Sequence, residues 1–389
     1  MEIEIPYGRQ SIDDADVEAV ENVLRSNFLT QGPVVPRFEE AIAAYSGANY
    51  GVAVNSATSA LHIACLAMDL GPGDWVWTSP NTFVASANCA LYCGAKVDFV
   101  DIDSKSYNLC PNKLQEKLVA AEKRGVLPKI VIPVHFAGQP CDMDAISDLR
   151  KKYGFKIIED ASHAIGAHYK ETRVGSCANS DITVFSFHPV KIITSGEGGM
   201  ALTNQPELDR KLRLFRSHGI SSDPNDFELR STEEIWNYQQ LELGLNYRMT
   251  DIHAALGLSQ LRRIDDFIEK RRSIAQHYCD HLENLPLVVP WQSSESRSSF
   301  HLYPVRIPLT GRKTQRQIYE RLRENRINAN LHYIPVHRQP FYEAMGFRLG
   351  DFPEAERFHR EVLSLPMYPG LRDDQQTRVI KLIEEELGN

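Results

Sequence analysis

The feature that most constrains this chain is a rhythm in its first half, where short apolar or β-branched runs alternate with helical patterns. GVAVNS precedes a helical stretch from Ala57 to Met68, WVWTSP precedes one from Val84 to Tyr92, and KVDFVDID, KIVIPVHF and FKIIED continue the series. Such spacing marks βαβ units, which assemble into a mostly parallel central sheet flanked by helices. The runs are nearly all apolar instead of alternating, as strands covered on both faces should be. Several end in polar residues, namely Asn55-Ser56, Ser79, His135 and Glu159-Asp160. Ligands of open α/β sheets sit beyond the carboxyl ends of the strands, so chemistry is expected at these endings.

The second half changes character. Thr250 is placed to cap a long helical pattern carrying Ile252, Leu256, Leu261, Ile264 and Ile268. Beyond about Asn284 come a strand-like FHLYPVRI, a helix around Ile318 and Leu322, a second strand near Ala329 to Tyr333, and two closing helices ending at Leu387. The reading is an α/β chain with a large domain over residues 1–250, N-terminal segment included. Residues 251–389 then form a linking helix and a smaller α+β domain. The polar stretch from Ser221 to Glu234 is expected to be a mobile loop. No internal repeat or low-complexity tract is visible.

Composition narrows the partners. A formal charge of −8 over 389 residues offers no basic field for a phosphate backbone, which argues against nucleic acid. MEIEIPYGRQ is acidic where a signal peptide would be basic and then apolar, and no apolar run reaches membrane-spanning length. A cytoplasmic chain without membrane attachment is the expectation. The seven cysteines are scattered without paired zinc-ligand spacing, so reduced thiols and no metal are expected.

The densest chemistry lies in DITVFSFHPVKIITSGEGGM, residues 181–200, where a strand-like run leads through Ser186 and His188 to Lys191 and then to flexible glycines. Most lysines are solvated surface groups. A lysine that bonds a carbonyl, however, needs this kind of rigid presentation and partial desolvation. Upstream, KIIEDASHAIGA puts Asp160 at a strand end, where a carboxylate could equally cap a helix. Together they match pyridoxal 5'-phosphate, which needs an amine for its aldehyde and an acidic partner to keep its pyridine nitrogen protonated.

With those residues in view, the sequence resembles the fold type I aminotransferases of sugar-nucleotide biosynthesis, often called the DegT family. The resemblance runs nearly the full length, through FLTQGPVVPRFEEAIAAYSGA, NSATSALHIA, EDASHAIGA, FSFHPVKIITSGEGG and GLNYRMTDIHAALGLSQL in order. It implies that Lys191 holds the cofactor, that Asp160 contacts the pyridine nitrogen, and that His163 lies near the phenolic oxygen, where many relatives have glutamine. Phe83 matches the aromatic that stacks on the ring, although an aromatic starting a helix is commonly core. The backbone amides of Ala57 and Thr58 at a helix N-terminus, with Ser186, match the phosphate site. Asn246 matches an asparagine that reaches the phosphate from the neighbouring subunit, implying a homodimer with a shared active site. Arg248 beside it could equally form an interface salt bridge.

The implied reaction passes the amine of an amino acid, usually glutamate in the family, to a nucleotide-linked keto sugar. Lys191, once released, would move the proton, with His188 either helping or packed beneath the loop. Within the family, IPYGRQSID, NYRMTD and HYIPVHRQPFY look closest to the UDP-4-amino-4,6-dideoxy-N-acetyl-β-L-altrosamine transaminases. That branch implies amination at C4 of a UDP-linked 4-keto-6-deoxy-N-acetyl sugar, as in pseudaminic acid biosynthesis. His332, Tyr333 and His337 are candidates for sugar contacts, against a reading in which this Pro335-punctuated loop fills the small domain's core. Amination at C3, or of dTDP or GDP sugars, shares every cofactor motif. A dehydratase relative would carry histidine in place of Lys191, and a non-catalytic regulator would not need Lys191 and Asp160 together.

Overall fold

The computed structural model describes residues 4–227 and 236–388. Counting strands of three residues or more, seven form the central sheet: β1 (Tyr50–Val54), β2 (Trp75–Thr78), β3 (Lys96–Phe99), β4 (Ile130–Ile132), β5 (Lys156–Asp160), β6 (Ile182–Ser186) and β7 (Gly199–Thr203). Their spatial order is β1-β7-β6-β5-β4-β2-β3. Only β7 runs against its neighbours; every other pairing is parallel. The apolar runs seen in the sequence are these strands, and β4 and β6 are buried along their whole length. Helices Ala57–Ala67 and Ala85–Tyr92 sit within a residue of the expected spans.

The parallel strands deliver their polar carboxyl ends to one edge, so Thr78, Asp160 and Ser186 close β2, β5 and β6 on the same side. Because β7 is antiparallel, it begins at that edge with Gly199. A side chain there would collide with the Ala57 amide, since an added Cβ would lie 2.5 Å from it. Glycine therefore lets the helix starting at Ala57 abut the sheet, and this approach builds one wall of the site.

The C-terminal part holds a two-stranded antiparallel sheet, β8 (Tyr303–Arg306) with β9 (Val362–Leu365). Around it, helices Ile264–Leu282, Gln315–Glu324 and Asp373–Leu387 bury a second core that includes Tyr278, Tyr303, Leu322 and Ile380. Ile5 joins that core through a parallel bridge to Ile327. Phe352 and Phe358, in turn, pack into the core of the large sheet. Thus both ends of the chain cross between the two cores.

Two expectations are corrected. The strand expected near Ala329 to Tyr333 makes only a single bridge, from Asn330 to Ser364. The Asn330 side chain captures the Leu331 amide at 2.8 Å, and His332 Nδ1 meets the Ser364 hydroxyl at 2.9 Å, so the ladder ends and the segment turns inward. The long helix from Thr250 is two helices, Asp251–Leu261 and Ile264–Leu282. Thr250 does cap the first, accepting from the His253 amide. At the break, Arg263 is drawn to Asp13 and to the fully buried Asp16, at 2.8 and 2.5 Å. The loop expected from Ser221 to Glu234 falls partly outside the described residues, and its base pairs Ile220–Ser221 with Gln239–Gln240. Among the described residues no helix is long and apolar enough to cross a membrane.

Candidate active site

A cavity of about 330 Å³ opens at the carboxyl ends of β5 and β6. Lys191 reaches it from the loop between β6 and β7. That loop is pinched at its base, where the Phe187 amide donates to the Gly198 carbonyl and the Ser195 amide and Thr194 hydroxyl donate to the Phe187 carbonyl. The Lys191 amine has no hydrogen-bond partner among the described residues. Desolvation pushes it down to about 8, against the opposing pull of Asp160.

Asp160, the last residue of β5, is 5% exposed. One oxygen accepts from the Ser86 hydroxyl at 2.6 Å and the other from the Ser162 amide at 3.1 Å. Thr82 supports Ser86 at 2.7 Å, so the carboxylate is fixed rather than free to swing.

Ala57, Thr58 and Ser186 line the same cavity. Ser56 caps the helix, accepting from the Ser59 amide, which leaves the first amides of the helix without an internal partner. The hydroxyls of Thr58 and Ser186 also have no partner among the described residues. An array of open donors at a helix N-terminus is an anion cradle. The open amine and the fixed carboxylate complete the donor set that pyridoxal phosphate requires, so the residues present fit that cofactor.

Three imidazoles, His163, His301 and His332, close the far wall. The rings of His163 and His301 lie 4.4 Å apart and tilted by 44°, and burial holds both well below the ordinary histidine range. Burial, then the Lys191 charge, pushes His332 down to about 3. The wall is therefore neutral at physiological pH. Tyr333 lies against His163, its hydroxyl 3.1 Å from Nε2, and its ring is 6.5 Å from that of Phe83. Phe83 lines the cavity while 59% exposed, not packed into the core. His188 borders the cavity from the exposed side of the Lys191 loop, so it is not packed beneath that loop.

Two expected residues are not brought to the cavity. His337 is fully buried elsewhere, with Nε2 2.9 Å from a Glu356 oxygen and its ring against Phe352, a packing role. Asn246 is exposed and bridged to Ser217, outside the cavity of its own chain. Arg248 lines a separate cavity with Arg213 and Arg216, and has no ion pair among the described residues. Conversely, His301, Tyr7 and Glu197 line the site although sequence reasoning passed them over. A histidine opening the strand-like FHLYPVRI was the one available hint for His301.

The DegT/DnrJ/EryC1/StrS aminotransferase family model matches residues 10–384. The chain is 38% identical over 367 residues to the UDP-4-amino-4,6-dideoxy-N-acetyl-beta-L-altrosamine transaminase of Campylobacter jejuni, covering 94% of this chain and 92% of that protein. Among solved structures, Helicobacter pylori PseC, an aminotransferase involved in the biosynthesis of pseudoaminic acid, superposes with a TM-score of 0.90 at 29% identity, covering 99% of this chain and 100% of that one. The PLP form of the putative sugar aminotransferase Spr1654 from Streptococcus pneumoniae gives 0.88 at 27% identity, covering 98% of each chain.

Proposed function

This chain belongs to the DegT/DnrJ/EryC1/StrS aminotransferase family, a pyridoxal-phosphate-dependent group of fold type I, and from that premise we propose that it aminates C4 of a UDP-linked 4-keto-6-deoxy-N-acetyl sugar, with L-glutamate as donor. The observation that carries the substrate is the 38% identity to the Campylobacter altrosamine transaminase across 94% of this chain. The sugar in that enzyme's name is a UDP-linked 4-amino-4,6-dideoxy sugar, the compound this reaction would make. A place in pseudaminic acid biosynthesis follows, supported by the similarity to PseC.

Each residue then has a task. Lys191 would hold the cofactor through its amine and, with that amine free, would serve as the base that takes the proton from the donor α-carbon. Asp160 keeps a proton on the ring nitrogen. Ala57, Thr58 and Ser186 bind the phosphate, Phe83 covers one ring face, and His163 serves the phenolic side. When bound, pyridoxal phosphate supplies the aldehyde and a ring that takes up the electrons left by the departing proton. His332 borders the sugar, and His188 stands at the mouth beside Lys191.

The reading includes a homodimer. Asn246 is exposed and does not line the cavity of its own chain, as an asparagine serving a neighbouring subunit would not. Arg248, two residues on and without an ion pair among the described residues, is available to the same contact.

The test is a substrate panel. With pyridoxal phosphate and L-glutamate, turnover is expected with UDP-linked 4-keto-6-deoxy-N-acetyl sugars and at least about tenfold less with dTDP, GDP or 3-keto analogues. Preference for a dTDP sugar would reject the proposed substrate while leaving the family untouched.

The depressed basicity of Lys191 gives a separate expectation. Only the neutral amine attacks an aldehyde, and the ordinary lysine value of 10.5 has moved to about 8. Cofactor capture by the apoenzyme should therefore accelerate as pH rises and level off just above about 8. Stopped-flow absorbance between about pH 6.5 and 10 checks this. A rate still climbing at the upper end would mean a solvated lysine.

A further inference from the structure

The hydrogen bonds around His163 can be satisfied in only one way. Its Nδ1 accepts from the Ala137 amide at 3.3 Å, so Nδ1 carries no proton. A neutral imidazole must then be protonated at Nε2, the atom 3.1 Å from the Tyr333 hydroxyl. His163 donates and Tyr333 accepts. The opposite tautomer would set two N–H groups against each other in a buried place.

The backbone enforces this choice. Ala137 is held at φ 57°, a left-handed conformation that aims its amide at the imidazole. Gly138 follows with φ +97°, and any Cβ there would meet the Ser299 hydroxyl at 2.6 Å. Ser299 in turn donates to the His163 carbonyl at 3.0 Å, and its own amide donates to the Gly138 carbonyl at 3.2 Å. His163, Ala137 and Ser299 are thus one locked unit.

Two consequences follow. His163 has no donor left for a ligand, because its single N–H is engaged. The Tyr333 carbonyl meets His359 Nδ1 at 3.1 Å, but its hydroxyl, which accepts from His163, has no other hydrogen-bond partner among the described residues. Its own proton is free at the wall of the cavity. Tyr333 also stands near enough to Asp160 to feel its charge and beside the ring of Phe83. Those two residues are the ones assigned above to the nitrogen and the face of the cofactor ring.

We infer that Tyr333 is the residue that donates a hydrogen bond to the phenolic oxygen of the cofactor, with His163 behind it as a positioning residue. The inference rests on the cofactor-site reading given above. It moves Tyr333 from the sugar to the cofactor, and replaces direct contact by His163 with contact through a held hydroxyl. A donor at that oxygen stabilises its anionic form, so it lowers the pH at which the visible band of bound cofactor titrates.

The test is a pH titration of that band in holoenzyme. Tyr333→Phe should raise the midpoint by about one unit, a tenfold change in proton affinity. His163→Leu should raise it by a smaller amount, since the hydroxyl remains but is no longer held. An unmoved midpoint in Tyr333→Phe with a full shift in His163→Leu would restore the direct contact and overturn the inference. So would a Tyr333→Phe variant whose only change is a higher KM for the keto sugar. Lys191→Ala separates the two levels: if it keeps the same titrating band, the cofactor site itself is misread. ¹⁵N spectra of histidine-labelled apoenzyme need no variant and no cofactor. They should show His163 protonated at Nε2 alone, and a proton on Nδ1 would overturn the inference.

Discussion

Lys191→Ala should lower the glutamate half-reaction by at least about four orders of magnitude, followed as loss of cofactor absorbance change after mixing with L-glutamate. No other lysine lines the cavity among the described residues. The imidazoles cannot substitute: they are held neutral by burial, and an imidazole does not form the linkage a primary amine forms. The same substitution should not weaken the fold. At neutral pH it removes a desolvated ammonium that lacks a hydrogen bond, a group costly to bury. Because the folded-state value lies at about 8, below the ordinary 10.5, that cost is fully present below about 8 and fades as pH rises toward 10.5. The variant should therefore melt at or above the wild-type temperature at pH 7, and the gain should shrink at pH 10. An active variant would remove Lys191 from the chemistry, whereas an inactive variant with a lower melting temperature would trace the loss to misfolding.

What could be read from the sequence follows from where the information is local. The strands of the central sheet announce themselves because a strand buried on both faces is mostly apolar: β4 is apolar throughout, and β6 departs from that only at Thr183 and Ser186. Lys191 and Asp160 stand out because a charged residue at the end of such a run is unusual. The break at Arg262 and Arg263 was invisible because its cause, the pair Asp13 and Asp16, lies some 250 residues away in sequence. β9 escaped notice because it follows helix Pro353–Glu361 with no intervening loop, so no turn residue marks its start. His332 and His337 show the limit most directly. They are five residues apart on either side of Pro335, yet one meets Ser364 at the cavity and the other is buried against Glu356. Which way each ring points is decided by the partners, and nothing in the local pattern encodes them. His301 is missed for the same reason: it becomes a site residue only when the segment leading into β8 docks beside His163.

The second large effect is expected at Asp160. Asp160→Asn keeps the shape of the side chain and an oxygen for the Ser162 amide, while the Ser86 hydroxyl can turn to accept from the new amide. The local network survives, so stability should change by only about 1 kcal/mol, read by denaturant unfolding. Turnover should nevertheless fall by about two to four orders of magnitude. An amide cannot hold a proton at the ring nitrogen as a carboxylate does, and without that proton the ring is a poor acceptor of electrons. Asp160 is suited to the task because Ser86 and Thr82 fix its orientation in a buried place, where a charge acts with little screening. Ser86→Ala should then produce a milder loss of the same kind, since it frees the carboxylate without removing it. Full activity in Asp160→Asn would assign the carboxylate to structure alone, and the acid that protonates the ring would have to be sought elsewhere in the cavity.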